Sequence, residues 1–249
     1  MGTLFIVATP LGNLDDITIR AIKTLFSVDG IACEDTRKTG LLLRELAKRY
    51  PDLAVTKTGE RSQRLLSLYE ENEIRRIPEV LTALRNGLNI ALVSDAGTPA
   101  ISDPGFRLIR ECVKERIPVD SLPGPSSPIV ALTFSGLPTD KFTFLGYPPR
   151  KGGHRLKFLQ NVKQAQEHLP STFIMFEAPH RLLTTLEELQ TVFGDIQIVI
   201  CREMTKMHQE VRHEALSEAI THFKKVTPRG EFVITFNTKE QNGLNTPQE

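Results

Sequence analysis

Charged side chains of opposite sign follow several short apolar runs in this sequence. Glu34-Asp-Thr-Arg37 follows one run, residues 177–181 follow another, and Arg202-Glu203 follows a third. A carboxylate beside a cation can act as a general base or hold a polar substrate. It can equally form a surface ion pair worth only about 0–1 kcal/mol. Because four cations beside acids, Arg37, Arg181, Arg202 and Lys206, would share one edge, a binding role is the favoured interpretation.

A loop of mostly small residues follows the apolar run that ends at Val93. Residues 94–102 are nearly all small, polar, Gly or Pro, so the backbone is open there. Asp103 and Pro104 then predict the N-cap and first position of a helix. Open α/β sheets bind their ligands at loops of this kind. A tight turn without a ligand has the same composition and stays an alternative.

Several familiar site patterns are absent from the sequence. The turn at residues 9–13 lacks the Gly-x-Gly-x-x-Gly of dinucleotide-binding enzymes, and no Gly-x-x-x-x-Gly-Lys phosphate loop occurs. Pro128 stands where a nucleophile elbow needs glycine. The six histidines do not cluster, and His208 and His213 have the wrong spacing for a helical metal pair. No metal site is predicted.

Composition is that of a globular protein with reduced thiols. Of 249 residues, 40% are hydrophobic and 24% are charged, which suffices for a sizeable core. Lys and Arg number 31 against 30 Asp and Glu, so any nucleic-acid surface must be local. No apolar run approaches the roughly 18 residues of a membrane span, and no signal-peptide pattern is present. Three distant cysteines favour a cytoplasmic protein.

Alternating strand and helix patterns predict an α/β protein with two domains, the first with a mainly parallel sheet. Prolines between residues 118 and 128 predict a boundary at residue 121, which gives domains 1–121 and 122–238 and a disordered tail 239–249. The polar strand ends of the two domains are expected to face each other across a cleft. Strands are predicted at 3–8, 28–33, 64–69, 91–93, 119–122, 142–145, 172–176, 197–201 and 231–236, and helices at 15–26, 41–50, 77–86, 104–113, 125–134, from 151, 182–193 and 215–225.

Short stretches spread in order along residues 4–236 carry a family resemblance. They are Val7 to Leu14, Glu34 to Arg37, Asn72-Glu73 with Arg76 to Glu79, Ala91 to Phe106, Leu122 to Ser126, Ser135 to Asp140, Ala178 to Leu182, Arg202 to Lys206 and Gly230 to Val233. Together they resemble the small-subunit ribosomal RNA methyltransferases of the tetrapyrrole methylase-like superfamily. Two departures stand out: Ala178 replaces a frequent serine, and many members carry a further small C-terminal domain.

The resemblance implies a fold, a cofactor and a reaction. Two α/β domains would hold S-adenosylmethionine in the cleft between them, usually in a homodimer. The reaction would methylate the ribose 2′-hydroxyl of a cytidine in the decoding region of 16S rRNA, within the small ribosomal subunit. By resemblance, the cofactor would contact Asp95, Ala96, Gly97, Thr98, Ile101, Pro10, Ser126, Ser127, Phe176 and Glu177, with Met204, Glu231 and Glu203 as further members.

Methyl transfer from a sulfonium needs no metal, but the acceptor hydroxyl must lose a proton. In-line positioning can lower the barrier by about 7–11 kcal/mol, and a general base can add roughly 10²–10⁴-fold. Asp35 and Glu203 are the leading candidates for the base, and Glu177 and a deprotonated Lys206 are weaker ones. The RNA-contact candidates are Arg37, His180, Arg181, Arg202 and Lys206. Tyr147 or Phe176 could stack on a base. Residues 151–155 could form either a phosphate site or a solvated loop.

Two other functions stay open. A methyltransferase with the same cofactor loops can act on a tetrapyrrole ring or on a modified protein side chain. A protein of another class would bind RNA without catalysis, and it would bind the cofactor weakly or not at all.

Overall fold

The structure is a computed structural model that describes residues 1–54 and 63–238. The chain divides into two compact units, Met1–Ser126 and Ser127–Glu249, where the sequence predicted a boundary at residue 121. The predicted tail 239–249 lies outside the described residues. Within the described part of the chain, no helix combines the length and apolar character needed to cross a bilayer.

The first unit is built on a five-stranded sheet in the order β3-β2-β4-β1-β5. All four strand pairs are parallel, which confirms the predicted parallel sheet. The strands are β1 (Leu4–Val7), β2 (Gly30–Cys33), β3 (Arg64–Ser67), β4 (Ile90–Val93) and β5 (Val119–Leu122), and the helices are α1 (Ile19–Ser27), α2 (Thr36–Arg49), α3 (Glu73–Arg85) and α4 (Phe106–Lys114).

Helices cover both faces of this sheet, which explains why its central strands are apolar at every position. All four residues of β2 and all four of β4 are buried. One core joins α1 and Leu46 of α2 to Val7, Ile31 and Val93. The other core, on the opposite face, joins α3 and α4 to Leu92 and its neighbours. The carboxyl ends of the parallel strands therefore share one edge of the sheet.

The second unit has a five-stranded mixed sheet in the order β6-β7-β10-β8-β9. Strand β10 lies antiparallel between β7 and β8, so those two strands run in the same direction. Their carboxyl ends meet the start of β10, where Phe232 is opposite both Glu177 and Arg202. The strands are β6 (Phe142–Phe144), β7 (Thr172–Glu177), β8 (Gln197–Arg202), β9 (Glu210–Ala215) and β10 (Phe232–Phe236), and the helices are α5 (Ser127–Ser135), α6 (Gly152–His168), α7 (Pro179–Phe193) and α8 (Leu216–Lys225).

Several helix starts and one strand differ from the sequence prediction, and α2, α3 and α7 each begin three to five residues earlier than predicted. Thr18 caps α1, because its hydroxyl accepts the Ala21 N–H at 3.1 Å, so this helix begins at Ile19 rather than at the predicted residue 15. Helix α4 begins after Gly105 rather than after Asp103. The sequence also missed β9, an edge strand that carries charged and polar side chains at most positions and so has no apolar alternation.

Gly105 supplies a backbone conformation that the fold needs. Its φ is +121°, and a Cβ built there would lie 2.6 Å from Leu92 Cδ2. We predict that Gly105→Ala lowers the free energy of unfolding by about 2–5 kcal/mol, from backbone strain and overpacking together.

Urea unfolding followed by circular dichroism measures this loss. Gly87→Ala is the matched control, because its φ is +86° with nothing within 4 Å of the added Cβ, so only the conformational cost of about 1–2 kcal/mol applies. Equal losses in the two variants would contradict the packing argument.

Candidate active site

Asp95 connects two neighbouring strand ends in the first unit. It follows β4, while Glu34 and Asp35 follow β2, and these strands are adjacent in the sheet. The Asp95 carboxylate accepts the Asp35 N–H at 3.3 Å and the Lys38 ammonium at 2.6 Å. Lys38 was not predicted, since only the first turn of α2 brings it back to the strand edge. The structure thus places Asp35 and Asp95 in one cluster, as their positions after parallel strands indicated.

The Asp35 carboxylate is hydrogen-bonded to Arg37 and caps the start of α2. Its carboxylate accepts the Arg37 N–H at 2.8 Å and the guanidinium at 2.8 and 3.2 Å. These hydrogen bonds hold the pKa of Asp35 well below its usual range. A strongly acidic carboxylate is a weak proton acceptor, which lowers its value as a general base.

Glu34 differs from its neighbour although it is one residue away. Burial and then the nearby Asp95 carboxylate raise the pKa of Glu34 above its usual value. The Asp95 N–H and Lys38 only partly offset these effects. Glu34 belongs to the motif Glu34 to Arg37, but sequence spacing alone does not reveal how the surroundings of these adjacent acids differ.

The loop after β4 is held to the loop after β1 by paired backbone hydrogen bonds. Thr9 N–H donates to Gly97 O at 2.9 Å, and Gly97 N–H donates to Thr9 O at 3.0 Å. The Thr98 hydroxyl donates to Pro125 O at 2.8 Å. These contacts bring together three segments of the predicted cofactor set: Pro10, the loop Asp95, Ala96, Gly97 and Thr98, and the segment that ends at Ser126.

The same loop contains strained backbone. Ala100 and Ser102 have φ of 68° and 62°, although neither is glycine. Ile101 between them is exposed. Buried Glu73, at the start of α3, accepts the Gly105 N–H at 3.0 Å and so fixes the far end of the loop. Such strain clusters at ligand sites when the surrounding structure enforces it.

In the second unit, Glu177 anchors the turn after β7. Its side chain is fully buried, and one oxygen accepts the Ala178 N–H at 2.7 Å and Arg181 Nε at 2.8 Å. The other oxygen accepts the Thr185 hydroxyl at 2.6 Å. Arg181 also donates to Pro148 O at 3.2 Å. Both carboxylate oxygens are therefore engaged, and Glu177 orients Arg181 in this structure.

A second cluster joins the turn after β8 to the start of β10. Glu203 N–H donates to Glu231 O at 3.1 Å, and Glu231 N–H donates to the Glu203 carboxylate at 2.9 Å. The Lys206 ammonium bridges both carboxylates, at 3.0 Å to Glu203 and 2.9 Å to Glu231. Gly230, with φ of +92°, permits the contact, because a Cβ there would lie 2.6 Å from Glu203 Cγ.

The charges in this cluster stabilise one another. Burial alone would raise the pKa of Glu203, but hydrogen bonds from Glu231 and Lys206 hold it below its usual value. Burial alone would lower the pKa of Lys206, but the carboxylates of Glu231 and Glu203 raise it above its usual value. The ammonium form of Lys206 argues against the deprotonated Lys206 considered as a base.

The remaining predicted residues have mixed environments. Phe176 packs edge-on against Tyr147 at 5.3 Å between ring centroids and is half-buried. Met204 is buried, His180 is exposed and Ser127 begins α5.

Arg202 donates to Arg229 O and to Glu210. Residues 151–155 form the start of α6 rather than a loop, and Arg155 is buried on Glu188, so its guanidinium has a structural partner.

Metal-ligand side chains were compared across the part of the chain that the structure describes. Among residues 1–54 and 63–238, no three His, Cys, Asp or Glu side chains are placed to hold a metal ion.

Comparison with known proteins assigns this chain to a family. The family model described as Tetrapyrrole (Corrin/Porphyrin) Methylases matches residues 3–220. The ribosomal RNA small subunit methyltransferase I of Thermotoga maritima is 45% identical over 240 residues, which cover 96% of this chain and 100% of that protein. The chain belongs to the ribosomal RNA small subunit methyltransferase I family of the tetrapyrrole methylases. The chain is therefore an S-adenosylmethionine-dependent methyltransferase.

Solved structures of the tetrapyrrole methylase type share the fold. A diphthine synthase is similar with a TM-score of 0.69 at 14% identity, over 96% of this chain and 90% of that one. The uroporphyrin-III C-methyltransferase of Thermus thermophilus, solved in complex with S-adenosylhomocysteine, has a TM-score of 0.59 at 15% identity, over 94% and 97% of the two chains. This likeness confirms the predicted α/β fold class.

Proposed function

We propose that this chain transfers the methyl group of S-adenosylmethionine to the ribose 2′-hydroxyl of a cytidine in the decoding region of 16S rRNA. The observation that carries the proposal is the Asp95 cluster, which ties the loops after β1, β2 and β4 together. It occurs in a chain 45% identical to a protein named for rRNA methylation. The proposal includes a homodimer in the cytoplasm that acts on the small ribosomal subunit.

The proposed cofactor residues come from both units. When bound, S-adenosylmethionine supplies an electrophilic methyl group on a cationic sulfur. In the first unit, the open backbone of the 95–98 loop and the Asp95 carboxylate provide donors and acceptors for the polar parts of such a molecule. In the second unit, Glu177 contributes through the turn that it orients, because its oxygens are already engaged. The full proposed set is Pro10, Asp95, Ala96, Gly97, Thr98, Ile101, Ser126, Ser127, Phe176, Glu177, Met204 and Glu231.

The acceptor hydroxyl is activated by a strand-end carboxylate in this proposal. A base is most effective when its pKa is close to the working pH. The pKa directions of Asp35 and Glu203 make both weaker bases than their sequence positions indicated. Glu34 shares the Asp95 cluster and has a raised pKa. We therefore assign the base role to Glu34, with Asp35 and Glu203 as electrostatic members of the site.

Four of the five proposed RNA contacts are cations that already have carboxylate partners, and the fifth is the exposed His180. Arg37 is 90% exposed while it contacts Asp35, and Arg181, Arg202 and Lys206 contact Glu177, Glu210 and Glu203. An RNA phosphate would add an acceptor to a guanidinium or ammonium that is already oriented. Orientation reduces the entropy lost on binding. The proposed set is Arg37, His180, Arg181, Arg202 and Lys206.

A substrate panel tests the proposed reaction. The protein is incubated with methyl-labelled S-adenosylmethionine and, separately, free 16S rRNA, small ribosomal subunits or a small-molecule extract. We expect label in the rRNA arms only, and digestion to nucleosides should place it on 2′-O-methylcytidine. Label on a base, in a tetrapyrrole or on a protein would contradict the proposal, as would RNA binding without any transfer.

Glu34 is tested by the pH dependence of single-turnover methyl transfer. Because a general base works in its ionised form, the rate should rise with pH through the raised pKa of Glu34 and then level off. Glu34→Gln should lower the plateau by roughly 10²-fold or more and remove that rise.

Asp52→Asn, an exposed change in the turn after α2, is the control and should match the parent. Parental rates in Glu34→Gln, Asp35→Asn and Glu203→Gln would together show that the proton leaves to water, and the base assignment would be abandoned.

A further inference from the structure

A groove of about 300 Å³ lies in the first unit between the loop after β1 and one face of α2. Lys38, Leu41, Leu42 and Glu45 line it from the helix, at the i, i+3, i+4 and i+7 spacing of a single helical face. Pro10 is among the loop residues that line the opposite side. This volume is at the lower end of the range of small-molecule sites.

The groove has a polar group at each end and apolar walls between them. Lys38 and Asp95 form one end, where the ammonium contacts the carboxylate at 2.6 Å. Glu45 forms the other end, roughly 10 Å further along the helix axis at 1.5 Å per residue. The middle is lined by leucines that include Leu41, which is 52% exposed although it is apolar. A flat ring with polar atoms at its edges matches this arrangement better than an aliphatic chain.

Glu45 gives the groove a preference among flat polar rings. Its side chain is exposed, and none of the hydrogen bonds or ion pairs found in the described part of the chain involves it. A carboxylate accepts from the exocyclic amine of cytosine. Uracil presents a carbonyl oxygen at the same position, which a carboxylate repels. RNA-binding proteins read such ring edges on bases that have left the helical stack.

We infer that this groove binds the base of the acceptor nucleotide, with the cytosine amine at Glu45 and the sugar toward Lys38 and Asp95. The inference rests on the proposed function, since it names the subsite by which that reaction selects cytidine. It places the ribose at the strand edge that carries Glu34 and Asp95. Base selection and methyl transfer then occupy opposite ends of one groove.

Base selectivity is the decisive measurement. Small subunits are assembled with cytidine or with uridine at the methylated position, and kcat/KM is measured for each. For the parent, we expect a cytidine preference of roughly 10–100-fold, the range for one specific base-edge contact. Glu45→Gln should bring that ratio close to 1, because an amide can accept from cytosine or donate to uracil.

Two controls separate the base site from other roles of the groove. Glu71→Gln, an exposed change before α3, should keep the parental ratio. The affinity of Glu45→Gln for S-adenosylhomocysteine should stay within about twofold of the parent. A parental ratio in Glu45→Gln overturns the inference. A large loss of S-adenosylhomocysteine affinity overturns it as well, because the groove would then belong to the cofactor.

Nucleotide binding without turnover distinguishes this inference from the proposed function. Cytidine 5′-monophosphate and uridine 5′-monophosphate are titrated into the parent and Glu45→Gln, and amide chemical shifts are followed. We expect cytidine to perturb Leu41, Leu42 and Glu45 at lower concentration than uridine in the parent only. Absence of this preference overturns the inference. Its presence in a parent that transfers no methyl group to rRNA means that the proposed function alone has failed.

Discussion

The Asp95 carboxylate is the contact on which the first unit's strand edge depends. It lies after β4 and accepts two hydrogen bonds. One comes from the Asp35 N–H in the turn after β2, and the other comes from the Lys38 ammonium of α2. The loop that begins at Asp95 is also paired with Thr9 after β1. Three parallel strands therefore end in segments that hold one another. Without an acceptor at this position, a backbone N–H and a lysine would lose their partner, and each loss costs free energy.

The second unit uses the same principle on a mixed sheet. Glu177 and Glu203 each accept one hydrogen bond from a backbone N–H and another from a cationic side chain, Arg181 or Lys206. The cations at these ends are consequently oriented before any ligand binds, and Lys206 stays charged. Individual cations are thus held in fixed positions although the 31 basic and 30 acidic residues of the chain nearly balance. An oriented cation in a carboxylate pair is a directional contact rather than a diffuse electrostatic attraction.

The sequence predicted the elements well where burial dictates residue type. Strands such as β4, buried on both faces, read as continuous apolar runs, and the polar residues after them marked the site edge. The prediction that β7 and β8 end on one edge also held, because β10 runs antiparallel between them. Strand β9 was missed because it lies at the edge of the sheet, where charged side chains replace the alternation of apolar and polar residues that marks a strand.

Features that depend on long-range contacts could not be read from the sequence. Gly105 ends its loop because Glu73, far away along the chain, accepts its N–H. Lys38 joins the site through the first turn of α2. The acidity of Glu34 and Asp35 differs because burial raises the pKa of Glu34, whereas hydrogen bonds from Arg37 lower the pKa of Asp35. The groove beside α2 likewise needs the loop after β1 to form its second wall. Sequence spacing identifies which residues share an edge, whereas burial and partners decide what each one does.

Calorimetric titration of S-adenosylmethionine into Asp95→Asn tests the central claim most directly. Asparagine keeps an acceptor for the Asp35 N–H but loses the charge that Lys38 contacts, so the fold should persist while the loop loses its anchor. The account predicts an affinity at least about tenfold lower than in the parent and in Asp15→Asn, a surface control, which corresponds to about 1.4 kcal/mol. Parental affinity in a folded Asp95→Asn would contradict the role of this carboxylate in the cofactor site.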